Sequence, residues 1–517
     1  MQKNLILAVV LSSLVYIGWY SFIEKKIQPP VAPASQQAQT AAQTQAGQPQ
    51  AGQPQAFPTP QTEPAALPEN WKKSAVMIKA GKAEYYFNSG AASLASAVYE
   101  GPVAPIELVP DASRGLFAST LPGTFKLKTK TADSAEFFAQ SGGLQVTKKF
   151  IFSPDNGLNT LQITAVNNSG KAQVLGQWEL RVGPGLGTVK SDEKDNAKLI
   201  KTDYTFTETG RKHPTLKELK DEAAQNDWVW AGLNNHYFLA ALAGSNFQNT
   251  RPVRRLEKVG ENAKTPMLVV PMPAVELKAG EKRTWETQFY LGPKDYPLLT
   301  KLGLGLDRAV DFGFFSPLAK LANSALVYFH KVTGNYGAAI IILSIIIQLM
   351  LTPLSYKSFK AMAVMKKIQP EMQSIQKKYK DDPKRMNQEV MDLYKRHGTN
   401  PLGGCLPMLL QIPVFFALFK ALSNSWNLHG APFIFWIKDL SAKDPFYVLP
   451  LVMGGIMFLQ QHLSPQTSDP SQAAMMKWMP VIFTFMFLTF PSGLVLYWLI
   501  NSTWGFAQTM YLQKKMA

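Results

Sequence analysis

The sequence predicts a polytopic α-helical membrane protein with six transmembrane helices, a large all-β sandwich domain outside the membrane and a helical hairpin in the cytoplasm. Three observations lead there. Long apolar runs recur from residue 334 to residue 512. Short strand-like runs separated by Gly, Pro and Asn turn signals fill residues 67–300. The loop between the second and third apolar runs carries eleven basic residues against five acidic ones, which the positive-inside rule places in the cytoplasm.

The elements follow in chain order. Residues 1–27 contain the apolar run Leu5–Ile23, preceded by Lys3 and followed by Glu24-Lys25-Lys26. The run is too long for a cleaved leader's apolar region, and Trp19 and Tyr20 suit a membrane interface, so an uncleaved signal anchor is expected. Residues 28–66 are rich in Gln, Ala, Pro and Gly and nearly free of charge; they cannot bury a core and read as a disordered tether.

Residues 67–300 form the β-domain. "AEYYF" runs into Asn88-Ser89-Gly90, "LQVTKKFIF" into Ser153-Pro154, "LNTLQITAV" into Asn167-Asn168 and "RTWETQFYL" into Gly292-Pro293. His213 and His236 are isolated, without metal-ligand spacing, and "GPGLG" at Gly183–Gly187 lacks the dinucleotide fingerprint and reads as a turn. An enzymatic β-domain would need paired acid and base groups, and none stands at a recognisable spacing.

In the 301–333 region, Ser316 as N-cap and Pro317 as first helical residue open an amphipathic helix. Its apolar face is read as Leu318, Leu321, Ala322, Ala325 and Phe329, with Gly334 closing it; it lies either along the interface or against the β-domain. The 334–512 core contains five further segments, at about Tyr336–Leu354, Leu402–Leu422, Phe446–His462, Trp478–Phe490 and Gly493–Leu512. Several fall short of the ~20 apolar residues of a full crossing, so a locally thinned bilayer is expected. Counting crossings puts both termini in the cytoplasm, with 513–517 as a short tail.

Within the cytoplasmic loop 355–401, Met365, Ile368, Met372, Ile375 and Tyr379 step by three and four, as do Met386, Val390, Leu393 and His397 beyond Asp381-Asp382-Pro383. That is an antiparallel hairpin with a coiled-coil seam. Its basic face, including Lys366, Lys367, Lys377, Lys378, Lys384 and Arg385, suits either anionic lipid or a docking partner. The chain's net charge of +17 favours anionic partners generally. Cys405 is the single cysteine, so no internal disulfide can form.

Polar residues interrupt the apolar segments. Ser344, Gln348 and Thr352 are four apart and share one helix face. Gln411 stands two residues before Pro413, which frees the Leu409 carbonyl. Asn501, Ser502, Thr503 and Gln508 mark the last segment. A buried, unpaired amide costs on the order of 2–7 kcal/mol, so these groups face either partner helices or a hydrated cavity. A small-molecule transporter or channel is the alternative use of such a face, and the lack of Asp or Glu at membrane depth disfavours proton coupling. Fifteen of the 19 methionines lie at or after Met350, which suits a surface that accepts many apolar sequences or simply packs apolar helices.

"NPLGGCLPMLLQIPVFFALF" (Asn400–Phe419), "LSAKDPFYVLP" (Leu440–Pro450), "DPSQAAMMKWMPVIF" (Asp469–Phe483) and "FPSGLVLYW" (Phe490–Trp498) closely resemble the YidC membrane protein insertases. The layout resembles their Gram-negative members over the whole chain. The resemblance implies an inner-membrane insertase and chaperone, not an enzyme, acting alone or beside the Sec translocon on nascent membrane proteins. It also implies a periplasmic domain of the β-supersandwich kind. The implied substrate groove is Ser344, Gln348, Thr352, Gln411, Asn501 and Ser502, and the substrate-contacting rim is Ile412, Pro413, Tyr497 and Trp498. Gln348 occupies the position where the family carries a basic residue; it keeps hydrogen bonding and lacks the charge. The hairpin is the expected site for the ribosome or targeting factors, with anionic lipids as further partners. No cofactor, metal or DNA is expected.

Overall fold

The computed structural model describes residues 67–68, 70–208, 210, 213–220, 222–225, 227–244, 247, 250–259, 263–399, 406–463 and 470–516. The expected anchor 1–27, the tether 28–66 and Cys405 lie outside them.

Alternating sequence becomes a layered β-domain. Nine antiparallel strands form one sheet in the order Thr215–Glu218, Lys201–Phe206, Trp228–Asn234, Phe238–Ala243, Lys282–Pro293, Asn159–Asn167, Leu144–Ile151, Ser134–Ser141 and Lys126–Lys130. A four-stranded sheet runs Val76–Ala80, Ala83–Asn88, Ser93–Glu100, Pro105–Glu107, and another runs Val253–Val259, Ala263–Met272, Trp178–Val182, Ala118–Ser119. One continuous core joins the three sheets: Phe87 from the first small sheet lies 5.2 Å from Phe137 and 5.1 Å from Phe150 of the large one. Period-two alternation drives this burial, and in Leu144–Ile151 every second side chain is inward. That alternation also turns Lys148 inward, fully buried, where its ammonium donates to the Phe117 carbonyl at 2.5 Å. The expected Gly292-Pro293 turn is the end of the long strand Lys282–Pro293 instead.

Seven longer helices follow among the described residues. Helix α1, Ser316–Thr333, begins one residue earlier than expected: Phe315 is the cap residue, and Ser316 is already helical. Gly334, at φ 69°, ends it, with its N–H donating to the His330 carbonyl at 2.8 Å. The packed face also differs from expectation. Ala319, Ala322, Asn323 and Leu326 are buried, whereas Leu318 and Leu321 are 43% and 67% exposed. Small alanines let α1 approach its neighbours closely, which leaves the larger apolar side chains outward.

Helix α2, Tyr336–Lys378, is long and apolar enough to cross a membrane. It opens on Asn335, whose side chain accepts from the Ala338 N–H. At 43 residues it spans about 65 Å, roughly twice a bilayer's hydrocarbon core. It therefore passes through Pro353 and Pro370 without ending, and the hairpin's first arm is its continuation rather than a separate helix. Helix α3, Pro383–Arg396, packs back on it through Ile368, Met372 and Leu393, and Asp382 caps it by accepting from the Arg385 N–H at 3.1 Å.

Helices α4 (Leu406–Ser423), α5 (Val448–Leu463), α6 (Pro470–Phe487) and α7 (Ser492–Met516) complete the helical region. They pack with α1 and α2 around Leu326, Ile340, Leu418, Met453, Phe487 and Leu496. The same cluster takes in Trp230, Leu239 and Tyr290 of the large sheet, so the β-domain rests directly on the helices.

Candidate functional site: a polar face on three helices

Helices α2, α4 and α7 bring the expected polar residues together in two pairs. Gln348 of α2 donates from Nε2 to Asn501 Oδ1 of α7. Gln411 of α4 donates from Nε2 to Tyr497 Oη of α7 at 2.6 Å. Asn501 and Tyr497 are four residues apart, so one face of α7 receives both amides. These are hydrogen bonds across helices at apolar depth, where an unpaired amide would be costly.

The hydroxyls behave differently. Ser344 Oγ donates to the Ile340 carbonyl at 2.6 Å, and Thr352 Oγ1 donates to the Gln348 carbonyl at 2.8 Å. Both bonds stay within α2, so these side chains line the face without bridging it. Ser344, Gln348 and Ser502 are buried. Pro413 has no N–H, and Leu409 and Leu410 are outward where the α4 backbone is left short of a donor.

The rim residues separate. Ile412 is 44% exposed and Pro413 is half-buried. Trp498 is half-buried in an aromatic cluster, 5.0 Å from Phe415 and 5.3 Å from Phe487. Tyr497 was expected beside it on the rim but is 1% exposed. Adjacent residues on a helix point about 100° apart, and here that rotation turns Trp498 to the aromatic cluster while the buried Tyr497 phenol meets Gln411. The sequence showed both partners of that bond; only the packing of α4 on α7 reveals that they meet.

The hairpin's Lys366, Lys367, Lys377, Lys378, Lys384 and Arg385 are all exposed. Near its tip, Lys378 and Arg385 each lie 5.3 Å from the centre of the Tyr379 ring, which gathers cationic charge at one place.

His236, isolated in sequence, is a link between the two regions. Its Nδ1 pairs with Asp192 Oδ2 at 2.7 Å and its Nε2 with the Ser423 carbonyl at the end of α4 at 2.9 Å. Burial alone would raise the Asp192 carboxyl, but the His236 contact outweighs it and holds it below the usual range. No group of three or more metal-ligating side chains occurs among the described residues.

Comparison with known proteins identifies this architecture. The family model described as 60Kd inner membrane protein matches residues 328–517, and the one described as YidC periplasmic domain matches residues 104–322. The membrane protein insertase YidC of Endomicrobium trichonymphae is 39% identical, across 100% of this chain and 99% of that protein. The chain belongs to the YidC membrane protein insertase family. The YidC of Geobacter metallireducens is 35% identical, over 100% of this chain and 99% of its own length. A crystal structure of an active YidC insertase with its first transmembrane domain resolved is 18% identical, covering 84% of this chain and 92% of that one at a TM-score of 0.39. A galactose mutarotase-related enzyme from Lactobacillus acidophilus covers 42% of this chain and 97% of its own, at 8% identity and a TM-score of 0.29. The family membership rests on the sequence matches alone. By these matches the β-rich region from residue 104 falls in the YidC periplasmic domain, and α2 to α7 fall in the 60Kd inner membrane protein region.

Proposed function

We infer that this chain is a membrane protein insertase of the inner membrane whose substrates are nascent membrane proteins. We further propose that the face shared by α2, α4 and α7 is its substrate groove. Ser344, Gln348, Thr352, Gln411, Asn501 and Ser502 offer hydrogen bonds to a polar segment in transit. Ile412, Pro413 and Trp498 form the apolar edge along which a hydrophobic segment slides, and Tyr497 acts as the buried partner of Gln411. The observation that carries this is the pairing of neutral polar side chains across helices at apolar depth, an amide with an amide and an amide with a phenol. Such pairs exchange partners with a passing chain at little net cost, because every amide bond that opens can be replaced by another. A transporter of small ions or protons would use charge there, and the apolar parts of these helices have no Asp or Glu.

The proposed arrangement has six crossings: the anchor at 1–27, followed by α2, α4, α5, α6 and α7. Both termini are cytoplasmic, the tether is 28–66, the periplasmic domain is 67–300, and α1 within 301–333 lies along the interface. The core is 334–512 and the tail 513–517. The exposure of Leu318 and Leu321 supports the placement of α1. The exposed basic hairpin is the proposed docking point for the ribosome or targeting factors and for anionic lipid, and the Sec translocon is a proposed partner.

Site-specific photocrosslinking tests the groove. A crosslinker at Gln411 or Ile412 should capture a stalled nascent membrane protein, while one at the outward Leu459 of α5 should not. Equal capture at all three positions, or at none, would remove the groove from this face.

A further inference from the structure

A second polar site lies where the β-domain meets the helices. A cavity of about 1040 Å³ is bounded by the edge strand Thr215–Glu218 and its neighbour Lys201–Phe206, the segment before α1, and the end of α4. That is at the upper end of ligand-sized pockets, roughly 300–1,000 Å³.

Its charges are not all satisfied internally. Lys320 pairs with Asp307 at 3.5 Å and Lys420 with Asp311 at 2.7 Å. Three cations remain in the wall. The Lys294 side chain is buried, and among the described residues its ammonium makes a single hydrogen bond, to the Ala309 carbonyl at 3.3 Å. It has three N–H donors, so two are left. The Lys201 and Arg308 side chains have no hydrogen-bond or ion-pair partner among the described residues. Two carboxylates also remain. Asp203 and Glu218 stand directly opposite each other on neighbouring strands, and Asp203 accepts one bond, from Asn234 Nδ2 at 2.7 Å. Like charges directly opposite in a sheet repel; Lys201 and Lys294 offset this in part at Asp203, and the exposed Glu218 carboxylate is left to favour a further cation. Burial pulls the Lys294 ammonium down to about 8 and raises the Asp203 carboxyl, the direction expected of groups held away from water.

The surroundings carry exposed apolar side chains. Phe419 lines the cavity, and Phe416, one helical turn before Lys420, is 50% exposed. Phe314 and Leu321, flanking the lining residues Ser316 and Lys320, are 85% and 67% exposed. A molecule seated here would have both signs of charge in the cavity and apolar surface beside it.

We propose that the cavity seats the headgroup of an aminophospholipid, with its ammonium against Asp203 and Glu218 and its phosphate against Lys294, Lys201 and Arg308. The acyl chains run past Phe419 and Phe416 along the outward face of α4. A bound lipid then joins the periplasmic domain to α1 and α4 by contacts separate from the substrate groove. The site is also separate from the basic cytoplasmic hairpin, which would attract anionic lipid without needing carboxylates.

The test uses the full chain in a mild detergent, titrated separately with phosphatidylethanolamine, phosphatidylglycerol, soluble glycerophosphoethanolamine and inorganic phosphate. Binding is read by native mass spectrometry, and acetylation of Lys201 is mapped in parallel. Phosphatidylethanolamine should bind once per chain, ahead of phosphatidylglycerol, and protect Lys201. Lys201→Ala should weaken it roughly tenfold or more, as expected for loss of a charged hydrogen bond. Glu218→Gln should abolish the preference over phosphatidylglycerol. Both side chains are exposed, so neither change threatens folding. If the two lipids bind alike and neither variant changes them, the bound lipid is only part of the general annulus and the proposal fails. It fails equally if inorganic phosphate alone protects Lys201 as well as the lipid does, since that would mark a small-anion site.

Discussion

Replacing Gln348 by leucine separates two roles that the same hydrogen bond can serve. The side chains are similar in volume, so the change removes the amide without opening a cavity. It leaves Asn501 Oδ1 without the donor it has from Gln348. If the face is a dry helix seam, the orphaned oxygen costs about 1–3 kcal/mol of stability. If the face is a hydrated groove, water replaces the donor, and the loss falls to about 1 kcal/mol or less. The groove reading therefore expects Gln348→Leu to lower stability by less than about 1 kcal/mol. It also expects slower insertion, because a polar segment in transit loses one hydrogen-bond partner. At about 1 kcal/mol for that partner, the slowing is roughly fivefold. Insertion would be scored in proteoliposomes by protease protection of a short substrate with a polar translocated tail, normalised to folded protein, and stability by reversible detergent unfolding. A stability loss of about 2 kcal/mol or more, with unchanged insertion per folded molecule, would show that the pair is structural and that substrate passes elsewhere.

Three further expectations follow from the packing and the buried charges. A Cβ on Gly454 of α5 would collide with Thr484 Oγ1 of α6 and lie 3.1 Å from its Cβ, whereas one on Gly455 meets nothing within 4 Å. Gly454→Leu should thus destabilise the helical region by about 1–3 kcal/mol while Gly455→Ala is near neutral in the same unfolding assay. Burial lowers the Lys148 ammonium from 10.5 to about 7, so between those pH values the unfolded chain binds more protons and stability should rise with pH. Thermal melts of the full chain from pH 7 to 9 should show this slope, and Lys148→Met should flatten it. Burial also lowers the imidazole of His429 from 6.5, against the opposing pull of Asp439, so its neutral form favours the folded state. Stability from this group should be present above pH 6.5 and be lost as pH falls through the folded value; melts of His429→Gln should lack that component.

Much of the fold was legible because the signals are local. Helices α5 and α7 begin within two residues of the expected segments, since the length and ends of an apolar run are properties of consecutive residues. The strands "AEYYF" and "LQVTKKFIF" were visible as strand-like runs ending in turn signals, and both form strands with alternating burial. The hairpin seam showed itself in three-four spacing, and Ile368, Met372 and Leu393 do bury it. The polar face was also legible, because Ser344, Gln348 and Thr352 recur on one side of a helix.

Other features depend on where separate elements meet. No local pattern says that α2 continues into the hairpin, since a proline removes a helix hydrogen bond and Pro353 and Pro370 are tolerated only where neighbouring groups satisfy the freed carbonyls. No pattern turns Tyr497 toward Gln411, since 86 residues separate them and only the packing of α4 on α7 supplies the contact. His236 looked isolated because its partners Asp192 and Ser423 come from distant parts of the chain. The sequence alone thus determined the family, the apolar segments, the β-rich domain and the residue types available at membrane depth. The tertiary structure decided which amides pair, which face of α1 is outward and which charges share the cavity beneath the β-domain. Periodicity and composition are set by neighbours along the chain, whereas hydrogen-bond partners and burial are set by neighbours in space.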